Sequence, residues 1–157
     1  NGNVVAHVTV GDTPHGLAAG TDSIWVANAS GTVSRIDPTN NTKAAEIPVP
    51  GEAFQVAEAS GFVWVTNGID TVFQIDPSKD KFIHKVNVDG GSFDVIGGFG
   101  SVWLTRAGGN TLARIDPGTA KVAASVDVGS SPRLIAVGPE GLWVASGDTK
   151  QVFLVHP

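Results

Sequence analysis

The segment Trp25-Val26-Ala27-Asn28 has three similar copies further along this chain of 157 residues. The later copies read Trp64-Val65-Thr66-Asn67, Trp103-Leu104-Thr105-Arg106 and Trp143-Val144-Ala145-Ser146. Successive tryptophans are separated by 39, 39 and 40 residues. A constant period in this range is typical of solenoids and propellers, so this repeat decides the fold class.

Two further sequence segments recur at nearly constant distances from the tryptophan in all four copies. Ten or eleven residues after each tryptophan comes Arg35-Ile36-Asp37-Pro38 or its counterpart at 74–77, 114–117 or 154–157. Ten or eleven residues before each tryptophan begins a segment at 14–18, 54–57, 93–96 or 132–136. The four copies are therefore one repeated structural unit.

Each repeat contains short β-branched segments separated by Gly, Asn, Asp and Pro, which is the pattern of strands and turns. In the first repeat we predict strands over residues 16–19, 24–27, 32–37 and 44–49. Four strands in about 40 residues predict one blade of a β-propeller. The chain is therefore predicted to be all-β, a single propeller domain over residues 1–157 built from four four-stranded blades.

The start of the chain carries the sequence of an outer strand. Residues 4–11, Val-Val-Ala-His-Val-Thr-Val-Gly, align with residues 122–129, whereas the fourth repeat reaches Pro157 just after its third strand. We predict blades over approximately residues 11–49, 50–88, 89–128 and 129–157, with residues 4–10 as the strand that closes the last blade. Closure of this kind removes an exposed sheet edge.

Composition limits the classes of partner. Ten Lys and Arg against fifteen Asp and Glu give a net charge of −5, which offers no electrostatic footprint for nucleic acid. No apolar run approaches the roughly 20 residues of a spanning helix, so no membrane insertion is expected. The chain has no cysteine, which excludes disulfides, thiolate zinc sites and thiol nucleophiles.

The repeats resemble those of the YVTN and virginiamycin B lyase-like bacterial β-propellers. The resemblance is carried by Val10-Gly11-Asp12-Thr13-Pro14-His15-Gly16-Leu17-Ala18, Ser23-Ile24-Trp25-Val26-Ala27-Asn28 and Gly31-Thr32-Val33-Ser34-Arg35-Ile36-Asp37-Pro38, and it extends over all four copies. It implies an extracellular or cell-surface location, because such repeats occur in secreted proteins, in sensor domains of bacterial kinases and in a streptogramin-opening lyase. Family members typically have seven or eight blades, so four copies depart from the family pattern.

The resemblance also implies where a ligand binds. In this family the first strand of a blade is innermost and starts at one mouth of the axial channel, and the second strand ends at the same mouth. Loop residues around such a mouth that differ in type between the blades could orient a polar ligand, although they could also be ordinary solvated loop residues. The candidate ligand-binding residues are His15, Asn28, Gln55, Asn67, Asp94, Arg106, Arg133 and Ser146, with Phe54 and Phe93 beside them.

His15 is the candidate that the resemblance connects to catalysis. In the lyase branch a His in Pro-His-Gly acts as the base, with a magnesium-binding Glu two residues earlier and a second His in another blade. Here Thr13 stands at the earlier position, and Phe54, Phe93 and Arg133 occupy the equivalent places in the other blades. A hydroxyl does not replace a carboxylate as a ligand for a hard cation. We therefore predict no catalytic residue and no cofactor.

Structural roles are predicted for the other repeated residues. Asp37, Asp76 and Asp116 precede proline and favour a turn between the third and fourth strands. The four tryptophans are expected to pack between adjacent blades. His7 is expected to face solvent and His84 to be partly covered by a neighbouring loop. No two histidines have ligand spacing on one strand, so no metal site is predicted.

Three functions remain open. The leading one is a non-enzymatic module that binds a ligand or protein partner at the mouth. The others are a magnesium-dependent carbon–oxygen lyase acting on a cyclic ester, and a structural repeat that assembles into rings. Four blades could close as one ring, or two chains could form an eight-bladed homodimer that exchanges residues 4–10. Packing of the tryptophan wedges favours the homodimer, because each blade then turns by about 45 rather than about 90 degrees.

Overall fold

The computed structural model describes residues 2–157; Asn1, the first residue of the predicted domain, lies outside the described residues. The described residues form fifteen strands and no helix, so no helix there could cross a membrane. The strands make four antiparallel sheets in which neighbouring strands follow chain order. This confirms the predicted all-β fold with four propeller blades.

Three blades have four strands each, and the fourth has three. The predicted strand bounds in the first blade differ from the observed ones by at most two residues. The first blade comprises β1 (Pro14–Ala19), β2 (Ile24–Asn28), β3 (Thr32–Asp37) and β4 (Thr42–Pro48). The second comprises β5 (Val56–Ala59), β6 (Phe62–Thr66), β7 (Thr71–Asp76) and β8 (Lys81–Asn87). The third comprises β9 (Val95–Gly98), β10 (Ser101–Arg106), β11 (Thr111–Asp116) and β12 (Lys121–Asp127), and the fourth β13 (Pro132–Gly138), β14 (Gly141–Ser146) and β15 (Gln151–Val155).

The Asp-Pro pairs end the third strand of each four-stranded blade. The Asp37 carboxylate accepts a hydrogen bond of 2.8 Å from the backbone N–H two residues further on. Asp76 and Asp116 accept the equivalent bond, in each case at 2.9 Å. Hydrogen bonds from Lys79 and then Ser78 lower the pKa of Asp76 from 3.8 to about 2. These carboxylates form turns, as predicted, because a short side-chain acceptor stabilises the chain reversal locally.

Three apolar clusters fill the spaces between successive blades. Each cluster joins the tryptophan of one blade to the inner strand of the next blade. The tryptophan and its inner-strand partner are Trp25 and Val56 in the first cluster, Trp64 and Val95 in the second, and Trp103 and Ile135 in the third. All three tryptophans are buried, which confirms their predicted place between blades.

The fourth blade departs from the prediction. Its sheet has three strands, and residues 2–10 form no strand, so the N-terminal segment does not close the last blade of its own chain. Trp143 is 41% exposed, whereas the prediction placed all four tryptophans between blades. The physical reason is that inner strand β13 packs against β9 and β10 but makes no comparable contact with β1. Among residues 2–157, no inner strand of another blade packs against β14 as β5, β9 and β13 pack against β2, β6 and β10.

Candidate functional site

The mouth of the propeller lies where the inner strands start and the second strands end. Pro14 at the start of β1 is paired with Asn28 at the end of β2, and Pro132 is paired with Ser146 in the same way. Both sets of predicted loops therefore face one end of the molecule, as the resemblance implied.

Four side chains, one from each blade, form a continuous arc at this mouth. The His15 ring lies 5.2 Å from the Phe54 ring, and the Phe54 ring lies 5.2 Å from the Phe93 ring, with planes inclined by 47° and 68°. The Arg133 guanidinium carbon stands 4.8 Å above the centre of the Phe93 ring. Tilted aromatic pairs and a cation over a ring face are favourable geometries. We call these four residues the rim arc.

Two threonine hydroxyls hold the rim arc in place. The buried Thr66 hydroxyl donates to the Phe93 carbonyl at 3.0 Å and accepts the Gln55 N–H at 3.1 Å. The buried Thr105 hydroxyl likewise donates to the Arg133 carbonyl at 2.7 Å. Each hydroxyl thus fixes the rim residue of the next blade. Sequence reasoning missed this role, although both threonines replace the alanine found in the first and fourth tetrads.

Asp94 lies on the inner side of the rim arc and joins the third blade to the fourth. Its two carboxylate oxygens accept the Val95 and Ile135 N–H groups, both at 2.9 Å. Burial raises the pKa of Asp94, and these hydrogen bonds only partly oppose that effect. Both oxygens of Asp94 therefore accept from backbone groups, one of β9 and one of β13. The side chain thus positions these two inner strands relative to each other.

Gln55 occupies the equivalent position in the second blade and is half-buried. It packs against Gly16 of the first blade so closely that a Cβ on that glycine would lie 2.7 Å from the Gln55 Cα and 2.9 Å from its Oε1. Gly16 therefore permits the close approach of the first two inner strands at the mouth.

The other four candidate residues lie at the same end, but their side chains are hydrogen-bonded to neighbouring strands and loops of the protein. Asn28 is fully buried and donates to the Ser34 hydroxyl at 3.0 Å. Ser146 is buried too, and its hydroxyl donates to the Ser130 carbonyl at 2.6 Å. The structure does not bring these side chains to the surface of the rim arc.

Asn67 and Arg106 are also hydrogen-bonded to other parts of the protein. The Asn67 side-chain oxygen accepts backbone N–H groups from residues 69–71, the first at 3.0 Å. Arg106 donates to the Asp89 carbonyl and, at 3.2 Å, to the Ser125 hydroxyl. Both side chains shape the loops that surround the mouth.

A channel cavity of about 300 Å³ opens between the inner strands. Leu17, Gln55, Glu58 and Asp94 line it. Both carboxylates there accept hydrogen bonds from protein donors, Glu58 from Thr21 and Trp25. The polar side chains that the rim arc presents to solvent are those of His15 and Arg133, which are both exposed.

The remaining histidines lie away from the mouth. His7 is exposed, as predicted, but His84 is also exposed, so the predicted cover by a neighbouring loop is wrong. The reason is its position on β8, the outer strand at the edge of the second blade. His156 has its Nδ1 atom 2.7 Å from the Glu140 carbonyl oxygen. Among residues 2–157, no three His, Asp or Glu side chains cluster as metal ligands would.

No protein-family model matches the chain, and no curated protein matches its sequence. Solved structures match its fold. Hydrazine synthase from Kuenenia stuttgartiensis superposes with a TM-score of 0.79 at 18% identity, over 92% of this chain and 46% of that one. The computationally designed Ika4 protein superposes with a TM-score of 0.78 at 13% identity, over 99% of both chains.

A catalytically inactive virginiamycin B lyase from Staphylococcus aureus, solved with quinupristin, has a TM-score of 0.70 at 16% identity. That match covers 91% of this chain and 55% of the lyase chain. This chain therefore spans about half the length of the hydrazine synthase and lyase chains. At these identities the likeness concerns the fold alone, and the chain is a β-propeller by its structure.

Proposed function

We propose that the chain is a non-enzymatic binding module of the YVTN and virginiamycin B lyase-like type that acts outside the cell. Its mouth binds a ligand or protein segment that combines a flat apolar group with an anionic group. The observation that carries this proposal is the rim arc, in which His15, Phe54, Phe93 and Arg133 contact one another in sequence. The extracellular location rests on the family resemblance.

The charge exposed at the rim arc is opposite in sign to the net charge of the chain. The protein carries a net charge of −5, yet the exposed end of the arc is the Arg133 guanidinium. The nearby Asp94 carboxylate is occupied by two backbone N–H groups and does not pair with Arg133. An anion at the mouth can therefore reach the guanidinium while its apolar part contacts the phenylalanine rings.

Elimination chemistry fits these residues poorly. A lyase of the resembling kind needs a magnesium ligand and a second base beside His15, but Thr13 supplies only a hydroxyl. The ring in contact with His15 is Phe54, which can neither accept a proton nor supply an oxygen ligand to magnesium. The residues therefore do not fit magnesium.

Benzoate and its neutral analogue benzamide test the proposal as minimal probes. We expect benzoate to shift the NMR signals of the His15 and Phe93 rings in a saturable way and benzamide to bind more weakly. The double variant His15→Ala with Arg133→Ala should abolish benzoate binding and leave the melting temperature nearly unchanged, because both side chains are exposed. Lys121→Ala on outer strand β12 is the control and should bind like the parent chain.

Two results would contradict the proposal. If benzoate binding survives the double substitution, the rim arc is not the site. If the chain causes a magnesium-dependent loss of a streptogramin's absorbance, the lyase function replaces the binding function.

A further inference from the structure

We propose that two copies of this chain associate through the open sides of their first and fourth blades to form an eight-bladed ring, and that they exchange residues 4–10. This inference does not depend on what the mouth binds. Three separate groups of residues carry it: the inner faces, the outer groove and the unpaired N-terminal segment.

The inner faces of the first and fourth blades are two halves of one repeated contact. In each junction within the chain, a tryptophan packs with an apolar residue of the next inner strand, as Trp103 does with Ile135. The residue equivalent to Ile135 in the first blade is Leu17, which is 70% exposed, and the tryptophan of the fourth blade is 41% exposed. The partner's Leu17 therefore supplies the apolar residue that Trp143 lacks.

An outer groove lies beside β15, where a fourth strand of that blade would be. It has a volume of about 220 Å³ and is lined by residues of β12 and β15, among them Val126 and Val155. The residues at the position of Val126 in the other blades are Ile47 and Val86, and both are buried. Val126 is 42% exposed, because no outer strand of the fourth blade covers it.

Residues 4–10 have the sequence of the strand that fits this groove. Val8 aligns with Ile47, Val86 and Val126, yet Val4 and Val5 are among the most exposed apolar residues of the chain. The segment leads into Gly11, whose N–H donates to the Ser34 hydroxyl of the first blade at 3.3 Å. It therefore leaves from the first blade, and in a two-copy ring that blade lies next to the partner's β15.

The backbone pattern assigns the register of the exchanged strand. The valine that follows each outer strand donates its N–H to the residue before the third strand of the same blade. These bonds run from Val49 to Gly31, from Val88 to Asp70 and from Val128 to Asn110, at 2.7–3.1 Å. The equivalent residues are Val10 and Lys150, and Lys150 has φ 55°, as Asn110 has. We expect the Val10 N–H of one copy to donate to the carbonyl of the partner's Lys150.

The ring would also complete the mouth. Within the chain each member of the rim arc contacts the next, and Arg133 is the last member. In the eight-bladed ring the partner's His15 follows Arg133, so two rim arcs form one circle.

Light scattering after gel filtration at micromolar concentration measures the assembly. We expect the mass of two 16.1 kDa chains. Leu17→Asp should give the mass of one chain without loss of folding, since Leu17 is exposed in the single chain, and deletion of residues 1–10 should have the same effect. Ile69→Asp is the matched control, because Ile69 is similarly exposed but lies outside the proposed interface, and it should leave the dimer intact. A parent chain of single mass, or an open-ended series of larger species, would overturn the proposal.

A disulfide trap distinguishes the two-copy ring from closure of one chain. The chain contains no cysteine, so Leu17→Cys combined with Trp143→Cys introduces the only two thiols. We expect a covalent dimer under oxidising conditions. A covalently closed monomer, or two thiols that remain free, would overturn the two-copy ring. Benzoate titration of the variant that lacks residues 1–10 tests the rim arc separately, because all four side chains of the arc come from one chain and none lies in the deleted segment.

Discussion

Glu58 joins the first two blades through three hydrogen bonds to one carboxylate. It accepts the Thr21 N–H at 2.9 Å, the Thr21 hydroxyl at 2.7 Å and the Trp25 indole N–H at 2.8 Å. Burial opposes ionisation, but these bonds outweigh it and hold the pKa of Glu58 below its ordinary value. Glu58→Ala leaves the buried indole N–H without a partner, so we expect the free energy of unfolding to fall by about 1–3 kcal/mol. Urea denaturation followed by tryptophan fluorescence measures this change. The control is Glu52→Ala, at an exposed residue, and equal midpoints for the two variants would refute the role of Glu58.

At the scale of an element, the turn between β11 and β12 contains a residue poorly suited to its backbone. Ala120 has φ 51°, and the equivalent positions in the first two blades, with φ 57° and 51°, hold Asn41 and Asp80. Left-handed backbone costs an alanine roughly 1–2 kcal/mol, whereas glycine adopts it freely. We expect Ala120→Gly to raise the free energy of unfolding by about 1 kcal/mol, since it relieves more strain than the lost methyl contact contributes. Ala44→Gly in strand β4 should lower it by about 0.5–1 kcal/mol. A fall in the urea midpoint for both variants would show that the turn is not strained.

At the scale of the whole molecule, the blades differ in how completely they are covered. Strands β6 and β10 belong to the second and third blades, which have a neighbouring blade on each side. Most residues of these two strands are buried. Residues 2–10 form no strand. Hydrogen exchange follows the free energy of local opening, so amides of β6 and β10 should exchange most slowly at every protein concentration. Amides of residues 4–10 should exchange rapidly in dilute solution and more slowly at concentrations that favour the two-copy ring. Equal exchange rates in β6 and in residues 4–10 would contradict this distribution of stability.

The repeat by itself determined the fold class, the number of blades and, to within two residues, the strand bounds of the first blade. Four tryptophans in one register, with Gly, Asn, Asp and Pro between β-branched segments, specify strands and turns by local backbone preference. The Asp-Pro turns could be predicted for the same reason, because their hydrogen bonds join residues two or three apart. The sequence also located the end of the propeller at which the rim residues lie, once the resemblance oriented the strands.

Only the tertiary structure decided which of the candidate residues meet. The bond from Thr105 to the Arg133 carbonyl spans 28 residues, and the bond from Ile135 to Asp94 spans 41. A local repeat does not encode such contacts, because they depend on how one blade is rotated against the next. Equivalent positions in the repeat predicted Asn28 and Ser146 as rim residues, whereas blade packing buries both. The exposure of Leu17 and Trp143 was decided in the same way, since among the described residues β1 and β13 do not pack together as the inner strands of successive blades do.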